Sequence, residues 1–152
     1  MLDILNVLRR TGTEPTRLVL EVTESAIVDQ AAIDVLATLR GHGIRIAVDD
    51  FGTGYSSLQY LTRLPVDVLK IDRSFVTQLD STPKGSAITE AIIRLSQVLH
   101  LTTIAEGIET PQQAAELQKL GCTIGQGYLY SPPKPAQELF TDAATLTTTS
   151  DL

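Results

Sequence analysis

Parallel strands covered by helices, forming part of a (β/α)8 barrel, is the α/β architecture this sequence predicts. Three observations point to it. Strand-like and helix-like periods alternate along the chain. The strand segments are near-continuous apolar runs, as strands buried on both faces are. Charged residues collect at the ends of those strands. With 43% hydrophobic and 20% charged residues over 152 positions, the composition is that of one globular domain rather than a disordered chain.

Taken in order, a first helix is predicted over Leu2–Thr11, then the strand LVLEVT (Leu18–Thr23). Ala31–Gly41 is helical by the spacing of Leu36 and Leu39, and Gly41 and Gly43 close it. IRIAVDD (Ile44–Asp50) is the second strand, followed by a glycine-containing loop and a short helix over Ser56–Arg63. VDVLKID (Val66–Asp72) is the third strand. Ser86–Leu99 follows as a helix with Ile92, Ile93, Leu95 and Leu99 on one face. LTTIAEGI (Leu101–Ile108) is the fourth strand, and Thr110-Pro111 caps and starts a helix running to Leu120. IGQGYLY (Ile124–Tyr130) is the fifth strand, and a last helix spans Pro135–Asp142. The ordered domain is therefore expected over residues 1–142, with 143–152 a disordered tail.

Glu21, Asp49, Asp50, Lys70, Asp72, Glu106 and Gln126 all fall at or near the C-terminal ends of successive strands. A barrel gathers its site from several strand ends on one rim, whereas a doubly wound sheet concentrates it at one switch point. The barrel fits better, yet a closed barrel needs eight strands in about 250 residues. Either the first three strands are absent and about five βα units form a partial barrel, or the sheet is open. An incomplete barrel exposes the edges of its outer strands, so self-association is expected.

Four acids, Glu21, Asp49, Asp50 and Glu106, repel one another if brought together bare. Divalent cations resolve that repulsion. Oxygen donors without Cys or His pairs suit Mg²⁺ or Mn²⁺ better than zinc. Each acid alone reads as a solvated loop carboxylate; the set, at matching strand ends, points to metal. Adjacent aspartates on a regular strand face opposite ways, so Asp49 and Asp50 share a site only if the strand ends there and the chain turns. Gly52-Thr53-Gly54 is the expected turn. Lys70 could orient a water or neutralise a phosphate; a structural ion pair with Asp72 and a Schiff-base amine are the alternatives. Gln126 reads either as a hydrogen-bonding ligand residue or as a turn residue. His42 and His100 read as surface or capping groups at helix ends.

A net charge of −6 argues against a basic nucleic-acid-binding surface, and a phosphate ligand would need cations other than side chains. No apolar stretch approaches the ~20 residues of a membrane span. The first residues lack a signal peptide's cleavage site, and Cys122, the sole cysteine, excludes an internal disulfide. A cytoplasmic location is expected.

LEVTE (Leu20–Glu24), DDFGTGYSSL (Asp49–Leu58), LKIDRSFV (Leu69–Val76), AEGIET (Ala105–Thr110) and GQGYLYSPP (Gly125–Pro133) resemble, in order and spacing, the signature motifs of the EAL-domain family. These are bacterial signalling phosphodiesterases for cyclic di-GMP, built on a modified (β/α)8 barrel. The resemblance runs from the first helix to about Pro133. It implies that Glu21 and Asp49 are metal ligands, with Asp49 bridging two ions, and that Asp50 binds the second ion. Lys70 would hold the attacking water, and Glu106 would be an acid/base or metal-linked carboxylate. Glu109 and Gln126 would lie in or next to the site, and Glu24 would anchor the loop Phe51–Ser57, which couples metal binding to a dimer. Two Mg²⁺ or Mn²⁺ ions, cyclic di-GMP, a homodimer and hydrolysis to linear pGpG follow from the same resemblance.

Two departures accompany it. The family's Glu-Ala-Leu motif and a metal-binding asparagine lie upstream of the LEVTE-like strand, and this chain has neither, so it looks like the C-terminal five-eighths of such a domain. Thr123 stands where relatives usually carry an acid. A non-catalytic module that binds cyclic di-GMP or another protein is the other reading within the family; retention of Asp49, Asp50, Lys70 and Glu106 favours the enzyme.

Overall fold

The apolar runs pair side by side in the order in which they occur in the chain. In the computed structural model, which describes residues 2–23, 26–27, 29–52, 61–79, 83–135 and 137–138, they form one five-stranded sheet. Its strands are β1 (Val19–Thr23), β2 (Arg45–Phe51), β3 (Val68–Ile71), β4 (Thr102–Ala105) and β5 (Ile124–Gly125), with neighbours in that order and every pair parallel. Among the described residues, five α-helices accompany them: α1 (Leu2–Thr11), α2 (Gln30–Gly41), α3 (Arg73–Thr77), α4 (Pro83–Val98) and α5 (Pro111–Lys119). Strand order equal to chain order is what consecutive units of a barrel produce; a doubly wound sheet reverses order once. No reversal occurs among the described strands, so the sheet is barrel-type, with β1 and β5 at its edges.

Alternation along the strands separates two faces. Ile46, Val48, Leu69 and Ile71 are buried in one core cluster with Leu39 of α2 and Ile93 of α4. Side chains of the other parity, Glu21, Ala47, Asp49 and Lys70, leave the opposite face, and that face carries the acids. At the strands' N-terminal ends, Asp67 ties three strands together. Its carboxylate accepts from Arg40 at 2.8 Å and from the Ile46 amide at 3.0 Å. Its own amide donates to Ile46 O, and its carbonyl accepts from Thr102 N, both at 2.9 Å.

Local chemistry sets the helix boundaries. Asp29 caps α2 by accepting from Ala32 N at 2.8 Å, and Gly43, at φ +91°, ends it while Ile44 N donates back to Leu39 O. Thr110 and Gln113 form a reciprocal capping box at the start of α5.

Four expectations are corrected here. The strand predicted over Ile124–Tyr130 stops at Gly125, because the following backbone turns against Ile108 rather than continuing along β4: Ile108 N donates to Gln126 O and Leu129 N to Ile108 O. The fourth strand ends at Ala105, leaving Glu106 on a loop. Between β3 and α4 the sequence reading missed α3, a single turn and a half capped by Asp72. The second strand does not end at Asp50 but runs to Phe51. Most of the helix expected over Ser56–Arg63, most of that over Pro135–Asp142, and the tail 143–152 lie outside the described residues.

Candidate functional site

Lys70 leaves β3 with its side chain only 4% exposed. A buried ammonium is tolerable only if its donors are met, and it has three. Three strand ends meet them: Glu21 Oε2 of β1 at 2.7 Å, Asp49 Oδ1 of β2 at 3.2 Å, and Glu106 Oε1 of the loop after β4 at 2.6 Å. Gln126 Nε2, just past β5, donates to the same Glu106 oxygen at 2.7 Å. Residues from all five strand ends are thus joined through Lys70 and Glu106.

Burial pushes the Lys70 amine down, but its hydrogen bonds to Glu106, Glu21 and Asp49 outweigh that and drive it well above the ordinary lysine range. Three carboxylates around Nζ favour the charged ammonium over the neutral amine that a Schiff-base reaction needs. The alternative ion pair with Asp72 does not form: Asp72 turns away to cap α3, accepting from Ser74 N at 2.9 Å. Burial raises Glu106 above the usual glutamate range; Lys70 opposes this, while Asp49 and Glu21 add to it.

Asp49 and Asp50 come together by a bulge. Val48 pairs with Leu69 and Phe51 with Ile71, so three steps on β2 match two on β3. The extra residue falls at the aspartate pair, and Asp50 takes φ +55°, the left-handed region that Asp tolerates better than most side chains. The turn is therefore made within the strand by Asp50 itself, ahead of Gly52 at φ +93°. Asp50 N donates to Asp49 Oδ1 at 3.1 Å. As a result Asp49, Asp50 and Glu106 each present a carboxylate oxygen within 4.8 Å of the others. Glu21 joins this group through Lys70.

Four carboxylates against one ammonium leave a large local negative excess. Closely spaced, oxygen-only donors on a partly exposed rim fit hard divalent cations such as Mg²⁺ or Mn²⁺, which would be held by Asp49, Asp50 and Glu106 with Glu21 alongside. Beside them runs a groove of about 600 Å³ lined by Arg73, Glu106, Glu109, Gln126, Tyr128 and Lys134. Glu109 pairs with Arg73 Nη2 at 2.6 Å. The sequence reading passed over Arg73 and Gln113. Arg73 directly follows a strand-end motif rich in charged residues, which is a usable signal; Gln113 is 8% exposed and accepts from Glu109 N and Thr110 N, which only the fold reveals. His42 and His100 lie at helix C-termini, the latter at φ +57°. Glu24 and residues 53–57 lie outside the described residues.

The profile of a family described as EAL domain matches residues 1–133. Cyclic di-GMP phosphodiesterase NbdA of Pseudomonas aeruginosa is 46% identical over 140 residues, which are 90% of this chain and 18% of NbdA. Among solved structures, the PaMucR phosphodiesterase in complex with c-di-GMP superposes with a TM-score of 0.84 at 46% identity, covering 90% of this chain and 56% of that one. BlrP1 of Klebsiella pneumoniae, in a manganese and cyclic di-GMP complex, gives a TM-score of 0.77 at 34% identity, covering 83% of this chain and 33% of BlrP1. The chain spans about a fifth of the length of the curated relatives it matches, 18% of NbdA and 21% of the MucR protein. Among the described residues, no helix is long and apolar enough to cross a membrane.

Proposed function

Since the chain belongs to the EAL-domain family, we propose that its strand-end cluster is the site of a divalent-metal-dependent phosphodiesterase that opens cyclic di-GMP to the linear dinucleotide pGpG. The convergence of Glu21, Asp49 and Glu106 on Lys70, with Asp50 turned in beside them, carries this reading.

Two Mg²⁺ or Mn²⁺ ions would supply the positive charge that an anionic substrate needs and that this acidic chain lacks. Glu21, Asp49, Asp50 and Glu106 would hold them. Once the ions neutralise the surrounding carboxylates, Lys70 would be free to donate a hydrogen bond to the attacking water. Glu106 accepts the water's proton as the oxygen adds to phosphorus, and the departing ester oxygen takes a proton from solvent. Gln126 orients Glu106 through its amide. Glu109 borders the groove that would receive the rest of the dinucleotide, and the family resemblance assigns Glu24 the role of anchoring the loop Phe51–Ser57. A homodimer in a bacterial cytoplasm completes the proposal, and sedimentation at micromolar protein tests the dimer.

The deciding assay incubates the chain with cyclic di-GMP and Mn²⁺ and follows products by mass. Appearance of pGpG, abolished by chelator and by Asp49→Asn, supports the enzyme. Saturable binding of cyclic di-GMP without turnover favours the non-catalytic module. Absence of both Mn²⁺ and dinucleotide binding overturns the site.

A further inference from the structure

We propose that Arg73 is a positioning residue that clamps the loop between β4 and α5 and so holds the Glu106 carboxylate on Lys70; this rests on the reading of Glu106 as a member of the metal site.

Glu106 is placed by a loop, and loops hold a side chain less firmly than strands do. Its own amide makes one last sheet-like bond, to Ile71 O at 3.0 Å. Further along, Ile108 N donates to Gln126 O at 3.1 Å and Glu109 N to Gln113 Oε1 at 2.8 Å. Between these holds lies Gly107, at φ +67°, the most easily rearranged point of the segment.

Arg73 covers that point. A Cβ on Gly107 would sit 2.7 Å from Arg73 Cβ and 2.8 Å from its Cδ, and would collide with its Cγ. Glycine is therefore required twice over, by its dihedral and by the arginine stem lying across it. The guanidinium continues past Gly107 to Glu109 at 2.6 Å. One side chain thus spans the loop, stem on Gly107 and head on Glu109. It also issues from α3, three residues after Lys70, and so ties together the two strand ends whose side chains meet as Lys70 and Glu106.

The pair is 64% and 44% exposed, a setting in which ion pairs add little to global stability. Positioning, not stabilisation, is what this geometry provides. Lysine, a flexible point charge, would not reproduce an aliphatic stem leading to a planar fork.

The test compares the full chain with Arg73→Ala, Arg73→Met and Arg73→Lys, reading amide hydrogen exchange at Ile108 and Glu109 by NMR and Mn²⁺ affinity by calorimetry. For Arg73→Ala, exchange at those two amides is expected to rise roughly five-fold and Mn²⁺ binding to weaken about ten-fold, with melting held within about 3 °C. Arg73→Met, which keeps the stem, should recover part of both losses, and Arg73→Lys should not restore them fully. Exchange and Mn²⁺ affinity within about two-fold of wild type would overturn the clamp, as would uniformly faster exchange across the whole sheet. If the wild type takes up no Mn²⁺, the site reading fails while the exchange data still decide whether Arg73 clamps the loop.

Discussion

Replacing Lys70 by methionine keeps most of the stem's volume and removes the charge that holds three strand ends together. The magnitude follows from how each partner is exposed. Glu21 is 51% exposed and rehydrates when released, so losing its contact costs little; Asp49 and Glu106, at 24% and 16%, stay close to each other without a cation between them. Stranding the partners of a buried ion pair costs about 3–5 kcal/mol, and this rim site belongs at the low end, about 3 kcal/mol. For a chain of 152 residues that corresponds to a melting temperature lower by roughly 6–12 °C. The pH dependence has a definite sign. Lys70 lies above the ordinary lysine range in the fold, so its contribution is complete below that range and constant between pH 5 and 7.5. In the variant, Glu106, already raised by burial, loses the ammonium that opposed the rise. The folded state then binds the extra proton more tightly than the unfolded one, and stability increases as pH falls. Thermal unfolding followed by circular dichroism at pH 7.5 and pH 5 should show a deficit at the higher pH that shrinks at the lower. A variant as stable as wild type at pH 7.5, or a deficit equal at both values, would refute the reasoning.

Asp72→Ala removes the cap of α3 and should cost about 1 kcal/mol at neutral pH. Burial pushes the Asp72 carboxyl up, but hydrogen bonds from Ser74 and the Arg73 amide more than compensate and hold it below the ordinary aspartate range. Its contribution is thus present above that range and fades as pH falls through the folded-state value, so urea titrations of the two proteins should converge in strong acid. Gly127→Ala would place a methyl group against the backbone N and O of Ile108, which cannot swing aside as a side chain could. A loss of about 2–3 kcal/mol by chemical denaturation is expected, and a change below about 0.5 kcal/mol would contradict the close approach.

Helices α1, α2, α4 and α5 were legible because apolar spacing, caps and closing glycines are local signals; Thr110-Pro111 and Gly43 mark their boundaries without reference to the rest of the chain. Long apolar strands were legible for the same reason. The fifth was overextended because Tyr128, Leu129 and Tyr130 have strand-like character, whereas the chain turns at Gly127 to fit against Ile108. An ion pair between Asp72 and Lys70 stood among the alternatives because the two are close in sequence, although a cap two residues away satisfies Asp72 more directly. Arg73 and Gln113 went unnoticed because their partners, Gly107 with Glu109 and the Glu109 and Thr110 amides, acquire meaning only once the loop is built.

Read as a string, this chain already declares alternating strands and helices, acids at the strand ends, and the motif order of its family. Periodicity and motif order survive in one dimension because each depends on neighbours a few residues apart. Which acids meet Lys70, and how Asp50 comes to face the same way as Asp49, were left to the assembled sheet. Lys70 and Glu21 are separated by 49 residues, and the bulge that turns Asp50 exists only as a mismatch between two paired strands. A buried charge finds its partners through packing, and packing is a property of the whole fold.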